Sequence, residues 1–158
     1  MMTRQPAEYR STDIMEIELI RPLWDQLNDH HHTNARAFRE VYTQWTFNNR
    51  KDYFRKVAAA GPLIIDLAFD PGSGRYVGYC ASSISPDQEG EIESVYVEEA
   101  YRSQGIGTAL MKRALAWLDA NGTARIRVSV ADGNEAAFPF YQKFGFYPRM
   151  TVLEQKSR

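Results

Sequence analysis

A single cysteine in 158 residues excludes any intramolecular disulfide framework and makes a reducing compartment the natural home. That cysteine, Cys80, sits in an apolar run, where a small buried side chain is the ordinary role. No apolar stretch is long enough to span a bilayer, and the opening decapeptide MMTRQPAEYR lacks the apolar core of a signal peptide. A cytoplasmic protein with no membrane partner is the expectation. Neither sign of charge dominates: 19 Lys and Arg against 20 Asp and Glu give a formal net charge of −1. That balance argues against a nucleic-acid partner. Histidine is scarce, and all three residues are consecutive, His30-His31-His32. Three neighbours in sequence cannot all face one ion from a helix or a strand, and no second cysteine supports them, so no metal is expected. Internal repeats and low-complexity linkers are also missing.

What is present is ordinary for a globular protein. With 44% hydrophobic and 25% charged residues, the chain suits one domain over residues 1–158 built on a single core. A strand is predicted from Ala7 to Met15. A helix follows from about Ile17 to Asn28, because Ile20, Leu23, Trp24 and Leu27 recur at one-face helical spacing. A second helix spans Arg50 to Ala60 and is stopped by Gly61-Pro62. Strands are then predicted over Leu63–Phe69 and Tyr76–Ile84 around the turn Asp70-Pro71-Gly72-Ser73-Gly74, and over Glu91–Val97. A long amphipathic helix, Gly105 to Ala120, carries Leu110, Ala114, Trp117 and Leu118 on one face. A strand over Arg125–Val130, a short helix, and a last strand over Phe146–Glu154 complete the reading. Periodicity alone supports an α/β or α+β domain.

The most informative stretch is Arg102-Ser103-Gln104-Gly105-Ile106-Gly107-Thr108, which lies between a strand and a helix. Two glycines one residue apart let the backbone approach a bulky anion. The helix start then aims unpaired N–H groups and the positive end of its dipole at that anion. A diphosphate is the best ligand for such a cradle. A P-loop is excluded because no Gly-Lys-Ser/Thr follows, and a dinucleotide fingerprint fails because Leu110 stands where its third glycine belongs. A valine at position 107 is expected to block the anion's approach while leaving the fold largely intact.

A second block, Asn134-Glu135-Ala136-Ala137-Phe138-Pro139-Phe140-Tyr141-Gln142-Lys143-Phe144-Gly145-Phe146, reads as a short helix with Asn134 as its N-cap and Gly145 just beyond its end. Pro139 removes a donor within it and is expected to bend it. Together the two blocks resemble the signatures of the GCN5-related N-acetyltransferase (GNAT) superfamily, over residues from about 76 to 147.

The resemblance implies a mixed, mostly antiparallel sheet with splayed central strands flanked by helices. It implies acetyl-CoA as co-substrate, held by the core over about 76–147, and acceptor-side helices over about 17–60. The pyrophosphate would lie on Arg102, Ser103, Gln104, Gly105, Ile106, Gly107 and Thr108, and pantetheine along Val95, Tyr96 and Val97. Tyr141 would protonate the departing thiolate, since a phenol stays protonated at neutral pH. Glu93 falls where polyamine acetyltransferases carry a strand glutamate, and Glu91 where histone-type enzymes carry theirs. Glu93 is the first choice as the group that accepts the amine proton through water. Ser94 stands where the polyamine enzymes carry Asp, which counts against polyamine specificity. Asn134 either contacts the coenzyme or caps its helix. The acceptor would be a small-molecule or peptide amine, received near His30–His32 and the aromatic group Phe38, Tyr42, Trp45, Phe47, Tyr53 and Phe54. Homodimers are common in the superfamily. Two other readings compete: an acyl-CoA-binding sensor or scaffold without catalysis, and a nucleotide-dependent oxidoreductase, which Leu110 disfavours.

Overall fold

A computed structural model describes residues 4–157; residues 1–3 and 158, at the ends of the expected domain, lie outside the described residues. Five strands form one sheet in the order β1-β2-β3-β4-β5. They are β1 (Glu8–Thr12), β2 (Leu63–Asp70), β3 (Arg75–Ile84), β4 (Glu89–Val97) and β5 (Arg125–Val128). The first four pair antiparallel with their neighbours, and β5 runs parallel to β4. The β2–β3 turn is closed by Gly74, whose φ of +70° suits a residue without Cβ, and by the Gly74 N–H donating to the Asp70 carbonyl at 2.8 Å.

Helices α1 (Arg21–Asn34), α2 (Val41–Gln44), α3 (Phe47–Ala60), α4 (Ile106–Ala120) and α5 (Phe138–Gln142) surround this sheet. On one face α4 buries Ile106, Leu110, Met111, Ala114 and Leu118 against Val77, Cys80 and Ile92. On the other, α1, α3 and the 3₁₀ segment Ile14–Ile20 bury Ile17, Ile20, Leu23, Trp24, Phe47 and Phe54 against Ile65, Leu67 and Tyr79. Both faces of β3 are therefore covered, which is why it is buried without alternation from Val77 to Ile84. Among the described residues, no helix is long and apolar enough to cross a membrane.

Several boundaries differ from the sequence reading for local reasons. Helix α1 starts later and runs longer, from Arg21 to Asn34, because Pro22 suits a first turn where its missing N–H costs nothing. Helix α3 begins at Phe47, not Arg50: Thr46 and Asn49 form a reciprocal capping box whose sequence signal went unread. Pro139 lies in the first turn of α5, where no backbone donor is lost, so it does not bend the helix.

The last predicted strand does not form. Residues 146–154 have no regular structure, and Tyr147, Met150, Val152 and Leu153 are 72–91% exposed. An apolar run becomes a strand only when a sheet edge receives it, and Pro148 cannot donate to a ladder. The pairing of β4 with β5 stops at Ile92–Val128, while β4 continues to Val97. Beyond that point the two strands part, and the opened edge of β4 places the site.

Candidate active site

At the opened edge, β4 carries a bulge. Its register with β3 passes from Ala81–Ser94 directly to Ser82–Ile92, which leaves Glu93 as the extra residue. A bulge sets two adjacent residues on the same side of a strand. Glu93 and Ser94 therefore both face α1 and α3, along with Glu91, while Ile92 points into the α4 core.

The two glutamates have unlike surroundings. The Glu93 carboxylate is only 4% exposed. It accepts from the Tyr53 hydroxyl and from the Ser83 hydroxyl, each at 2.8 Å, with the Arg50 guanidinium 3.9 Å away. Arg50 also donates to the Glu93 carbonyl at 2.8 Å and lies over the rings of Tyr53 and Phe54. Each carboxylate oxygen of Glu93 thus accepts one hydrogen bond from the protein, and little of the group meets solvent. The Glu91 side chain is 21% exposed, and its one charged partner is Arg127 at 3.6 Å. Burial, reinforced by the negative charge of Glu93, raises its pKa above the usual carboxylate value.

Both carboxylates line a cleft of about 470 Å³, with walls from Trp24, His31, Tyr42, Trp45, Tyr53 and Tyr141 among others. Of the aromatic group read from the sequence, Tyr42, Trp45 and Tyr53 line this cleft, whereas Phe47 and Phe54 are core. Phe38 lies beneath the ammonium of Lys156. Among the described residues, no set of three or more His, Cys, Asp or Glu is placed to hold a metal. His31 instead lines the cleft. Burial, helped by His30, pushes its pKa down to about 4, so the ring is neutral at pH 7.

Tyr141 reaches the cleft from α5, edge-on to Phe140 and Phe146. Burial pushes its phenol well above the ordinary value, and no hydrogen bond to another described group offsets this. It remains a proton donor throughout the neutral range. Asn134 occupies the position before the 3₁₀ turn Glu135–Ala137, yet its side chain makes no capping bond. Its Oδ1 lies 3.1 Å from His30 Nε2.

The glycine-rich segment adopts the conformation its sequence suggests. Gly105 precedes α4 with φ +80°, and Ser103 also has positive φ, at 64°. The first backbone bond into the helix is Ala109 N–H to the Gly105 carbonyl. The N–H groups of Ile106, Gly107 and Thr108 thus have no helical acceptor. Arg102 turns back and donates to the Val97 carbonyl at 3.1 Å. Val97 and Tyr96 are buried, the Tyr96 hydroxyl donating to Gln26, while Val95 lines the cleft. Strand alternation sends the Val95 backbone groups to the same side as the Val97 carbonyl. Gln104 caps the Ala100 carbonyl with its side-chain amide.

Gly107 has a second reason to be glycine. A Cβ there would lie 3.2 Å from Phe140 Cε2 and 3.8 Å from Val97 Cγ2. The expectation that valine at 107 spares the fold is therefore corrected: it would push on α5, the helix that carries Tyr141. Gly107→Val is expected to destabilise the protein by about 1–3 kcal/mol, the usual cost of overpacking, measured by urea unfolding. An unchanged midpoint would show that Phe140 yields freely.

The profile described as the acetyltransferase (GNAT) family matches residues 24–146. An uncharacterised N-acetyltransferase of Methanocaldococcus jannaschii is 30% identical over 86 residues, 51% of this chain and 38% of that protein. Glucosamine 6-phosphate N-acetyltransferase of Trypanosoma brucei brucei is 32% identical over 80 residues, 47% of this chain and 52% of that one. The matches thus span about half or less of these relatives. Among solved structures, the PaiA N-acetyltransferase of Thermoplasma acidophilum, in complex with coenzyme A, superposes with a TM-score of 0.73 at 18% identity over 94% of each chain. That likeness shows the fold.

Proposed function

Because the chain belongs to the GNAT acetyltransferase family, we propose that it transfers the acetyl group of acetyl-CoA to a primary amine of a small molecule or peptide. The observation that carries this reading is the placement of the free helix start and the cleft on one strand, β4. The unpaired N–H groups of α4 begin beside Val97, the last residue of β4, and two residues earlier on the same strand Val95 lines the cleft together with Glu91 and Tyr141.

In this reading the N–H groups from Gln104 to Thr108 hold the pyrophosphate, with Arg102 and Ser103 shaping the turn. The Val95–Val97 backbone holds pantetheine. Acetyl-CoA supplies an activated acyl group and a thiolate that must be protonated. The amine is mostly protonated at neutral pH and must lose that proton before it attacks. Glu91 takes it through water, because it is the carboxylate with free lone pairs and a raised proton affinity. Glu93, satisfied by Tyr53, Ser83 and Arg50, holds the wall of the cleft and keeps the proton affinity of Glu91 high. This reverses the order in which the sequence ranked the two. Tyr141 delivers the proton to the departing sulfur. Asn134 serves the acceptor wall through His30.

The test joins calorimetry with acetyl-CoA, NAD and ATP to a free-thiol release assay over an amine panel. Binding of acetyl-CoA alone, with thiol release that depends on the amine, is the expected result. Binding without release on any amine would replace catalysis by acyl-CoA sensing, and no binding of acetyl-CoA would sink both readings.

A further inference from the structure

One wall of the cleft is made by the segment after α1, through Val41, Tyr42 and Trp45. The cleft lining also includes Ala131 and Asn134, on the loop that leads from β5 into α5, and Tyr141 on α5 itself. About a hundred residues separate that loop in sequence from the stretch formed by the end of α1 and the residues just after it, and the two meet at three points. The Arg36 guanidinium grips Asp132 with both arms, Nε to Oδ2 at 3.2 Å and Nη2 to Oδ1 at 2.5 Å, and also bonds Glu135. Glu135 in turn accepts from the Gly133 N–H at 3.1 Å. Gly133, with φ +94°, comes so close to the end of α1 that a Cβ would lie 2.1 Å from the Asn34 carbonyl oxygen. The third point is His30 Nε2 to Asn134 Oδ1 at 3.1 Å.

We propose that Arg36 is a positioning residue, latching the acceptor wall to the loop that leads into α5, the helix that carries Tyr141, so that acceptor binding and proton-donor alignment are set together. The proposal rests on the acyl-transfer reading of the cleft. An isolated exposed ion pair contributes little. Here one guanidinium orders two irregular segments at once, and its planar fork suits the two-armed grip on Asp132. Irregular backbone is entropically costly to hold in place. A wall ordered in advance spares the acceptor that cost, and the benefit falls on the acceptor, not on coenzyme held by α4 and β4.

Arg36→Ala is expected to raise the acceptor KM about tenfold and lower kcat several-fold, with coenzyme A affinity within about twofold of wild type. Arg36→Lys should recover part of the loss, since lysine keeps the charge but not the fork. Added salt should raise the acceptor KM of the wild type and leave that of Arg36→Ala unchanged, because the latch is exposed and screened. Hydrogen exchange reads the latch without activity: amides over 35–45 and 131–135 should exchange faster in Arg36→Ala, with α4 unchanged. Unchanged exchange in both segments would overturn the proposal, as would a loss confined to coenzyme binding. A wild-type protein that transfers no acetyl group would defeat the acyl-transfer reading alone, and the exchange experiment would still decide the latch.

Discussion

Tyr141→Phe is expected to lower turnover by roughly 10²–10⁴-fold, the usual cost of losing a general acid, while coenzyme A binds within about twofold of wild type. The ring would keep its edge-on contacts with Phe140 and Phe146, so α5 and the Phe140–Gly107 packing survive the change. Only the hydroxyl is lost. Burial holds that phenol above its ordinary pKa, so the wild-type donor is fully protonated at any pH where the protein is studied. The defect should therefore be independent of pH between about 6 and 9, below the ordinary tyrosine value. Steady-state rates for one good amine across that range, with calorimetric titration of coenzyme A, provide the check. Turnover within about twofold of wild type would reduce Tyr141 to a packing residue.

Glu91→Gln is expected to lower kcat/KM roughly 10²-fold near neutral pH, where the acceptor amine is mostly protonated. The loss should shrink as the pH rises toward the pKa of the amine, because free amine then forms without help. Glu93→Gln should act differently. It leaves buried hydroxyl groups imperfectly paired, so it should cost about 1–3 kcal/mol of stability. It should also move the acid limb of the pH–rate profile to lower pH. The negative charge of Glu93 is one cause of the raised Glu91 pKa, so deleting it lets that pKa fall. Profiles for both variants on one acceptor, with urea unfolding, separate the roles. A larger rate loss at unchanged stability in Glu93→Gln would return the proton-accepting role to Glu93, and equal mild losses would leave deprotonation to bulk water.

The strands β1 to β5, the strand-to-helix turn and the aromatic helix were legible because each rests on local physics. A two- or 3.6-residue period and the positive φ of Gly105, Gly74 and Gly145 depend on a few neighbouring residues. The amphipathic face of α4 follows from the same period: Leu110, Ala114 and Leu118 are fully buried, and Trp117 is partly buried against them.

Features that need a distant partner were not legible. Strand alternation alone treats Glu91 and Glu93 as equivalents, and only the bulge opposite Ala81–Ser82, with Tyr53 and Arg50 arriving from α3, makes one saturated and the other free. The anion cradle explains Gly107 locally, but the ring of Phe140 gives a second reason that local sequence does not contain. Residues 146–154 have the composition of a strand yet pair with none, although β5 leaves the outer edge of the sheet open. The chain by itself therefore determined the family, the glycine-rich turn into α4 and the aromatic helix α5, since these are local patterns of φ, period and capping. Tertiary structure alone decided which carboxylate is free, why the glycines are small and what Arg36 joins, since a side chain's partners come from segments that only packing brings together.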